Sequence, residues 1–157
     1  MKRKVYVETS IFSYLTARPS RDLIVAAHQE LTLEWWIDCR QRFGLYISEL
    51  VLREASKGDP VAAAKRMAEL AGIPLLPIDN AVEKLARSLV NRRIVPENAV
   101  EDALHIAVAT CRGIDFLLTW NCRHIASAEA VKKLDALCRE LGFALPVLCR
   151  PEQLMGN

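Results

Sequence analysis

Short apolar runs alternate with longer amphipathic stretches along almost the whole chain, and this alternation restricts the possible folds more than any single motif does. Val5-Tyr6-Val7, Leu45-Tyr46-Ile47 and residues 73–78, 115–119 and 144–148 read as strands. Residues 10–15, 22–43, 49–56, 60–71, 80–92, 100–111 and 127–141 read as helices, with Ser10 as an N-cap, Pro60 as a first-turn proline and Gly44, Gly72 and Gly142 as stops. Strands separated by helices pair in parallel, because the helix carries the chain back to the start of the sheet. The expected fold is α/β: a single three-layer α/β/α domain with a mainly parallel sheet of about five strands. It should span residues 1–150, with 151–157 as a tail. Pro74 and Pro77 place the third strand at a sheet edge; the fifth is expected at an edge too.

Within the long stretch 22–43, Leu23, Ala26, Ala27, Leu31, Trp35 and Cys39 keep helical spacing. Trp35 and Trp36 are adjacent and cannot share one helix face. The expectation is one core tryptophan and one more exposed neighbour, the latter open to a protein interface.

A chain of 157 residues that is 52% hydrophobic can bury a sizeable core, and a formal charge of +2 is compatible with a nucleic-acid partner without arguing for one. The five cysteines are odd in number and none has Cys-x-x-Cys spacing, which excludes a disulfide framework or a structural zinc site. Reduced thiols fit a cytoplasmic protein. Met1-Lys2-Arg3-Lys4 resembles the basic start of a signal segment, but Glu8 interrupts the apolar run that should follow, and no stretch reaches the length of a membrane span.

Open parallel sheets bind ligands beyond the C-terminal ends of their strands. Glu8 ends the first strand, Glu54 lies on the helix after the second, and Asn121 follows the fourth. Asp102 opens an otherwise apolar helix, where it also suits the positive end of the helix dipole. Three carboxylates and an amide gathered at one edge would repel each other without a cation, and such oxygen donors suit Mg2+ or Mn2+ better than zinc. Each residue alone has an ordinary reading. Glu8 can cap a helix, Glu54 can be solvated, Asp102 can complement the dipole and Asn121 can form a turn. His105, one turn after Asp102, can orient it or simply sit satisfied on a helix face. The order and placement of the four together carry the signal.

Val5-Tyr6-Val7-Glu8-Thr9-Ser10-Ile11, Ile47-Ser48-Glu49-Leu50-Val51-Leu52-Arg53-Glu54, Glu101-Asp102-Ala103-Leu104-His105-Ile106-Ala107 and Leu117-Leu118-Thr119-Trp120-Asn121 resemble the four motifs of the PIN-domain family. The resemblance covers roughly residues 4–126. It implies a metal-dependent endoribonuclease, of which VapC-type toxins of type II toxin–antitoxin pairs are the commonest bacterial and archaeal form. Carried over by position, Glu8 and Asp102 would bind metal, and Glu54 and Asn121 would complete the catalytic set. Ser10, Thr119 and His105 would support the site. Arg92, Arg93, Arg123 and His124 are candidate phosphate contacts, with solvated surface as their ordinary alternative. The resemblance also implies an RNA substrate, a small antitoxin partner and a homodimer. Two departures stand out: Glu8 and Asn121 occupy positions most members fill with aspartate. They support the rival reading, a catalytically weak PIN domain that binds RNA or protein without cutting. Other acidic α/β sites fit less well. A dehalogenase-like phosphatase needs a second acid where Ser10 stands, and a receiver domain needs its aspartate on a central strand, whereas Asp79 follows a proline-flanked one.

Overall fold

The computed structural model describes residues 1–125 and 127–156, with Arg123 and His124 described in backbone only. Five strands form one parallel sheet: β1 (Arg3–Val7), β2 (Phe43–Ser48), β3 (Leu75–Leu76), β4 (Phe116–Leu118) and β5 (Val147–Cys149). Their spatial order is β3-β2-β1-β4-β5, so β1 is central and both proline-marked strands are edges. The chain first builds outward from β1 to β3 and then returns to the other side of β1. The order therefore reverses between β1 and β4, and a crevice opens there at the strands' C-terminal ends. Val5, Tyr6 and Val7 on the central strand are wholly buried, as a strand covered on both faces must be.

The helices are α1 (Thr9–Thr16), α2 (Leu23–Glu34), α3 (Glu49–Ala55), α4 (Pro60–Leu70), α5 (Asn80–Asn91), α6 (Val100–Cys111), α7 (Cys122–Ile125) and α8 (Ala128–Glu140). This is the α/β/α architecture expected from the alternation, and it has the PIN-like layer arrangement. Among the described residues no helix is long and apolar enough to cross a membrane. All five cysteines are free.

Several boundaries differ from the sequence reading, each for a local reason. Residues 22–43 are not one helix. α2 ends at Glu34 and passes into a π-helical turn (Trp35–Cys39) and a 3-10 turn (Arg40–Arg42). Gly44 is not a helix stop; it lies inside β2, paired with Lys4. The expected exposed tryptophan is absent as well, since Trp35 is 0% and Trp36 6% exposed. The wider π turn lies against the body of the domain, where Trp35 stacks on Phe43. Trp36 meets the edge of Phe12 and is covered by the Arg40 guanidinium 4.3 Å from its ring centre. β3 shrinks to two residues because Pro74 and Pro77 flank it without N–H groups, although the Pro74 carbonyl still accepts from Ile47. β5 starts after Pro146 for the same reason, its first ladder bond running from Val147 N to Asp115 O. Residues 151–154 form a 3-10 turn with Pro151 and Leu154 buried, and Arg42 ties the end of the chain down through the carbonyls of Leu154 and Gly156.

Candidate active site

β1 ends at Val7, and the next side chain, Glu8, turns into the crevice beside β4 while staying 3% exposed. Ser10 was expected to cap the following helix. Glu8 does so instead: its Oε2 accepts from Ser10 N at 2.5 Å, satisfying an N–H that α1 leaves unbonded. Its other oxygen accepts from Thr119 Oγ1 (3.0 Å) and Asn121 Nδ2 (3.2 Å). Burial raises the Glu8 pKa, against the lowering effects of His105, Ser10 and Thr119.

Ser10 is released from capping and acts across the crevice. Its Oγ accepts from Trp120 N at 2.9 Å and lies 3.4 Å from Thr119 Oγ1, which in turn accepts from Asn121 N at 2.9 Å. The two hydroxyls thus join the end of β1 to the turn after β4. Trp120 anchors that turn to α2, donating from Nε1 to Thr32 Oγ1 and stacking on His28 with ring centres 4.1 Å apart. Glu8 and Asn121 also explain one another. The longer carboxylate reaches a residue whose amide can donate to it, where an aspartate at 121 would place two like charges together.

Glu54 projects from α3, the helix that leaves β2 directly, and its side chain is 21% exposed. Its Oε1 accepts from Thr9 Oγ1 at 2.5 Å and from His105 Nε2 at 2.7 Å. Burial works against its ionisation, but the hydrogen bond and electrostatic attraction from His105, then the hydrogen bonds from Thr9 and Glu101, prevail and bring its pKa down to about 2. Glu101 stands beside it, and hydrogen bonding with Glu54, burial and the Glu54 charge push the Glu101 carboxyl up. His105 was expected as a possible support for Asp102. Its ring nitrogens instead bond Glu54 and Tyr6, with Nδ1 2.7 Å from Tyr6 Oη, and Tyr6 Oη lies 2.8 Å from Ser48 Oγ. Tyr6 and Ser48 were not singled out in the sequence. Tyr6 sits in an apolar strand triplet, and nothing there announces that its hydroxyl faces a histidine 99 residues away.

Asp102 lies in the first turn of α6, a helix whose N-cap Ala99 offers no side-chain bond. A cleft of about 270 Å³ brings together Glu8, Glu54, Asp102, His105 and Asn121 with Thr9, Ser10 and Ser13. A second, of about 420 Å³, shares Asp102 and Asn121 and is otherwise walled by Pro96, Asn98 and Ala99. All four residues singled out for catalysis therefore line one cavity, although they come from four separated stretches of chain. Arg92 and Arg93 do not join them. Arg92 pairs with Glu140 at 2.9 Å, and Arg93 is exposed with a left-handed backbone (φ 57°). The side chains of Arg123 and His124 lie outside the described residues.

Among the described residues no three His, Cys, Asp or Glu side chains stand close enough together to hold a metal ion as they are. The donor chemistry nevertheless suits a hard divalent cation. The cleft offers carboxylate and amide oxygens with no cysteine, and Mg2+ takes only one or two carboxylates, filling its other positions with water and substrate phosphate. Glu8 has about three of a carboxylate's roughly four acceptor positions in use, and so keeps one.

No family model matches the chain, and no curated protein matches its sequence. By structure it is similar to a crystallised Mycobacterium tuberculosis protein, VapC20, described as a sarcin–ricin loop cleaving toxin. The two superpose with a TM-score of 0.59 over 76% of this chain and 92% of that one, at 19% sequence identity. At that identity the likeness establishes a shared fold.

Proposed function

We propose that this chain is a Mg2+- or Mn2+-dependent endoribonuclease that hydrolyses RNA phosphodiester bonds, and that it is the toxin of a type II toxin–antitoxin pair. The observation that carries the reading is the convergence of Glu8, Glu54, Asp102 and Asn121 on one cleft at the switch point of a parallel sheet. The likeness in fold to an RNA-cleaving toxin supports it. Asp102 and Glu8 would hold the cation, with Asn121 hydrogen-bonding in its shell. When bound, the ion would supply charge stabilisation to the phosphate under attack and acidify a water. Glu54, ionised well below neutral pH, would orient the attacking water by accepting a hydrogen bond from it. Thr9 and His105 would keep it aimed. The toxin role brings an RNA substrate, a small antitoxin and a homodimer with it.

The alternative is a binding module that holds RNA or a protein without cutting. Two observations favour it: Glu8 is occupied by protein donors, and the described residues contain no three-ligand group ready for metal. Incubating purified protein with mixed RNA, with and without Mn2+ and with EDTA then excess Mn2+, separates the two. Cutting that EDTA stops and Mn2+ restores supports the nuclease. Absence of both cutting and Mn2+ binding, measured by calorimetry on the same sample, supports the module.

A further inference from the structure

We propose that Ser48, Tyr6 and His105 form a one-directional hydrogen-bond line that fixes Glu54 as an acceptor in the cleft, making His105 and Tyr6 positioning residues. Their role in catalysis rests on the nuclease reading above; the line itself does not.

The line crosses the domain. It starts at the end of β2 with Ser48, passes through Tyr6 on the central strand to His105 on α6, and reaches Glu54 on α3. Ser48 and Tyr6 are 0% exposed and His105 1%, so each polar atom must find its partner inside the protein. The direction follows from counting protons. An ionised carboxylate only accepts, so Thr9 Oγ1 and His105 Nε2 both donate to Glu54 Oε1. With Nε2 protonated, a neutral ring presents a bare Nδ1, which must accept from Tyr6 Oη. A tyrosine phenol carries its proton at neutral pH and so has one to donate. Tyr6 Oη in turn accepts from Ser48 Oγ.

The opposite direction fails at its far end. A doubly protonated ring would donate from Nδ1 to Tyr6, and Tyr6 would donate to Ser48. The Ser48 hydroxyl proton would then have no acceptor among the described residues, because the bond to Tyr6 Oη is this side chain's one hydrogen bond there. A buried donor left unbonded is disfavoured, because it has given up water without gaining a partner. The satisfied arrangement therefore has one tautomer, with its N–H directed at Glu54. Both bonds fall on Oε1, and Glu101 also hydrogen-bonds this carboxylate.

Two measurements test this. The first is the 15N spectrum of the His105 ring in metal-free wild-type protein, which needs no activity. The expected signature is a protonated Nε2 and a bare Nδ1, and Tyr6→Phe should alter it. A protonated Nδ1 overturns the line. The second compares His105→Gln with His105→Asn, assayed for RNA cleavage and for thermal stability. A glutamine amide nitrogen can stand where Nε2 does, and an asparagine amide where Nδ1 does. Positioning of Glu54 predicts that Gln keeps cleavage within about tenfold of wild type. Asn should lose about a hundredfold in kcat at nearly constant KM, as expected for misplacing a catalytic group by about an ångström. Equal cleavage by the two variants, per folded molecule, overturns the positioning role. The predicted tautomer in a wild-type protein that does not cut RNA would retain the line and remove its catalytic role, locating the failure in the nuclease reading.

Discussion

Glu54 ties stability to acid in a way its geometry makes calculable. Its carboxyl falls from an ordinary 4.5 to about 2 in the folded protein. Taken at face value the shift is worth about 3 kcal/mol. The side chain is 21% exposed, so water screens part of it and about 1.5 kcal/mol is the better expectation. The sign follows from linkage. A depressed acid contributes stability that is complete above its unfolded value and disappears as pH falls through its folded value. The window therefore runs from about pH 4.5 down to about 2. Glu54→Gln keeps the size of the side chain and removes the charge. Urea denaturation at pH 6 should show the variant about 1.5 kcal/mol less stable, or some 3–6 °C lower in Tm for a chain of this size. Repeated at pH 4, 3 and 2, the gap should close. A gap that stays constant across that range, or a variant more stable than wild type at pH 6, would refute the reasoning that His105 and Thr9 stabilise an ionised Glu54.

Glu8 behaves in the opposite sense. Its folded pKa is raised, so the fold loses stability as pH climbs from the ordinary carboxylate range through that raised value. Glu8→Gln should weaken Mn2+ binding in a calorimetric titration, and its Tm should fall less than that of wild type as pH rises from 4 to 8. Asn121→Asp exchanges the donor that meets Glu8 at 3.2 Å for a like charge. Without metal it should lose about 1–3 kcal/mol in denaturation, and Mn2+ should restore more Tm to it than to wild type.

The layers and the sheet were legible because the periods of two and near four are written into the side chains. The crossover helices then leave a parallel sheet as the outcome, and the prolines around β3 and before β5 identify the edges. The convergence of Glu8, Glu54, Asp102 and Asn121 was legible from their positions after strand ends or at a helix start. What the sequence could not show depends on contacts between distant segments. The π turn at Trp35–Cys39 keeps both tryptophans inside because Phe12 and Arg40 cover the second one. Glu8 displaces Ser10 as the cap because the chain enters α1 two residues earlier than a Ser10 cap requires. The line from Ser48 to Glu54 joins residues separated by 42, 99 and 51 positions, and no local pattern records such pairings.

The most direct test of the central claim is the rate of RNA cleavage by Asp102→Asn against wild type, both purified identically and supplied with Mn2+. Asn keeps the size of the side chain and removes the charge that would hold the cation. Metal-dependent cleavage by wild type is expected, with a loss of at least about a hundredfold in the variant, the scale of removing one electrostatic contact to the reacting centre. Equal cleavage by the two proteins would contradict the claim.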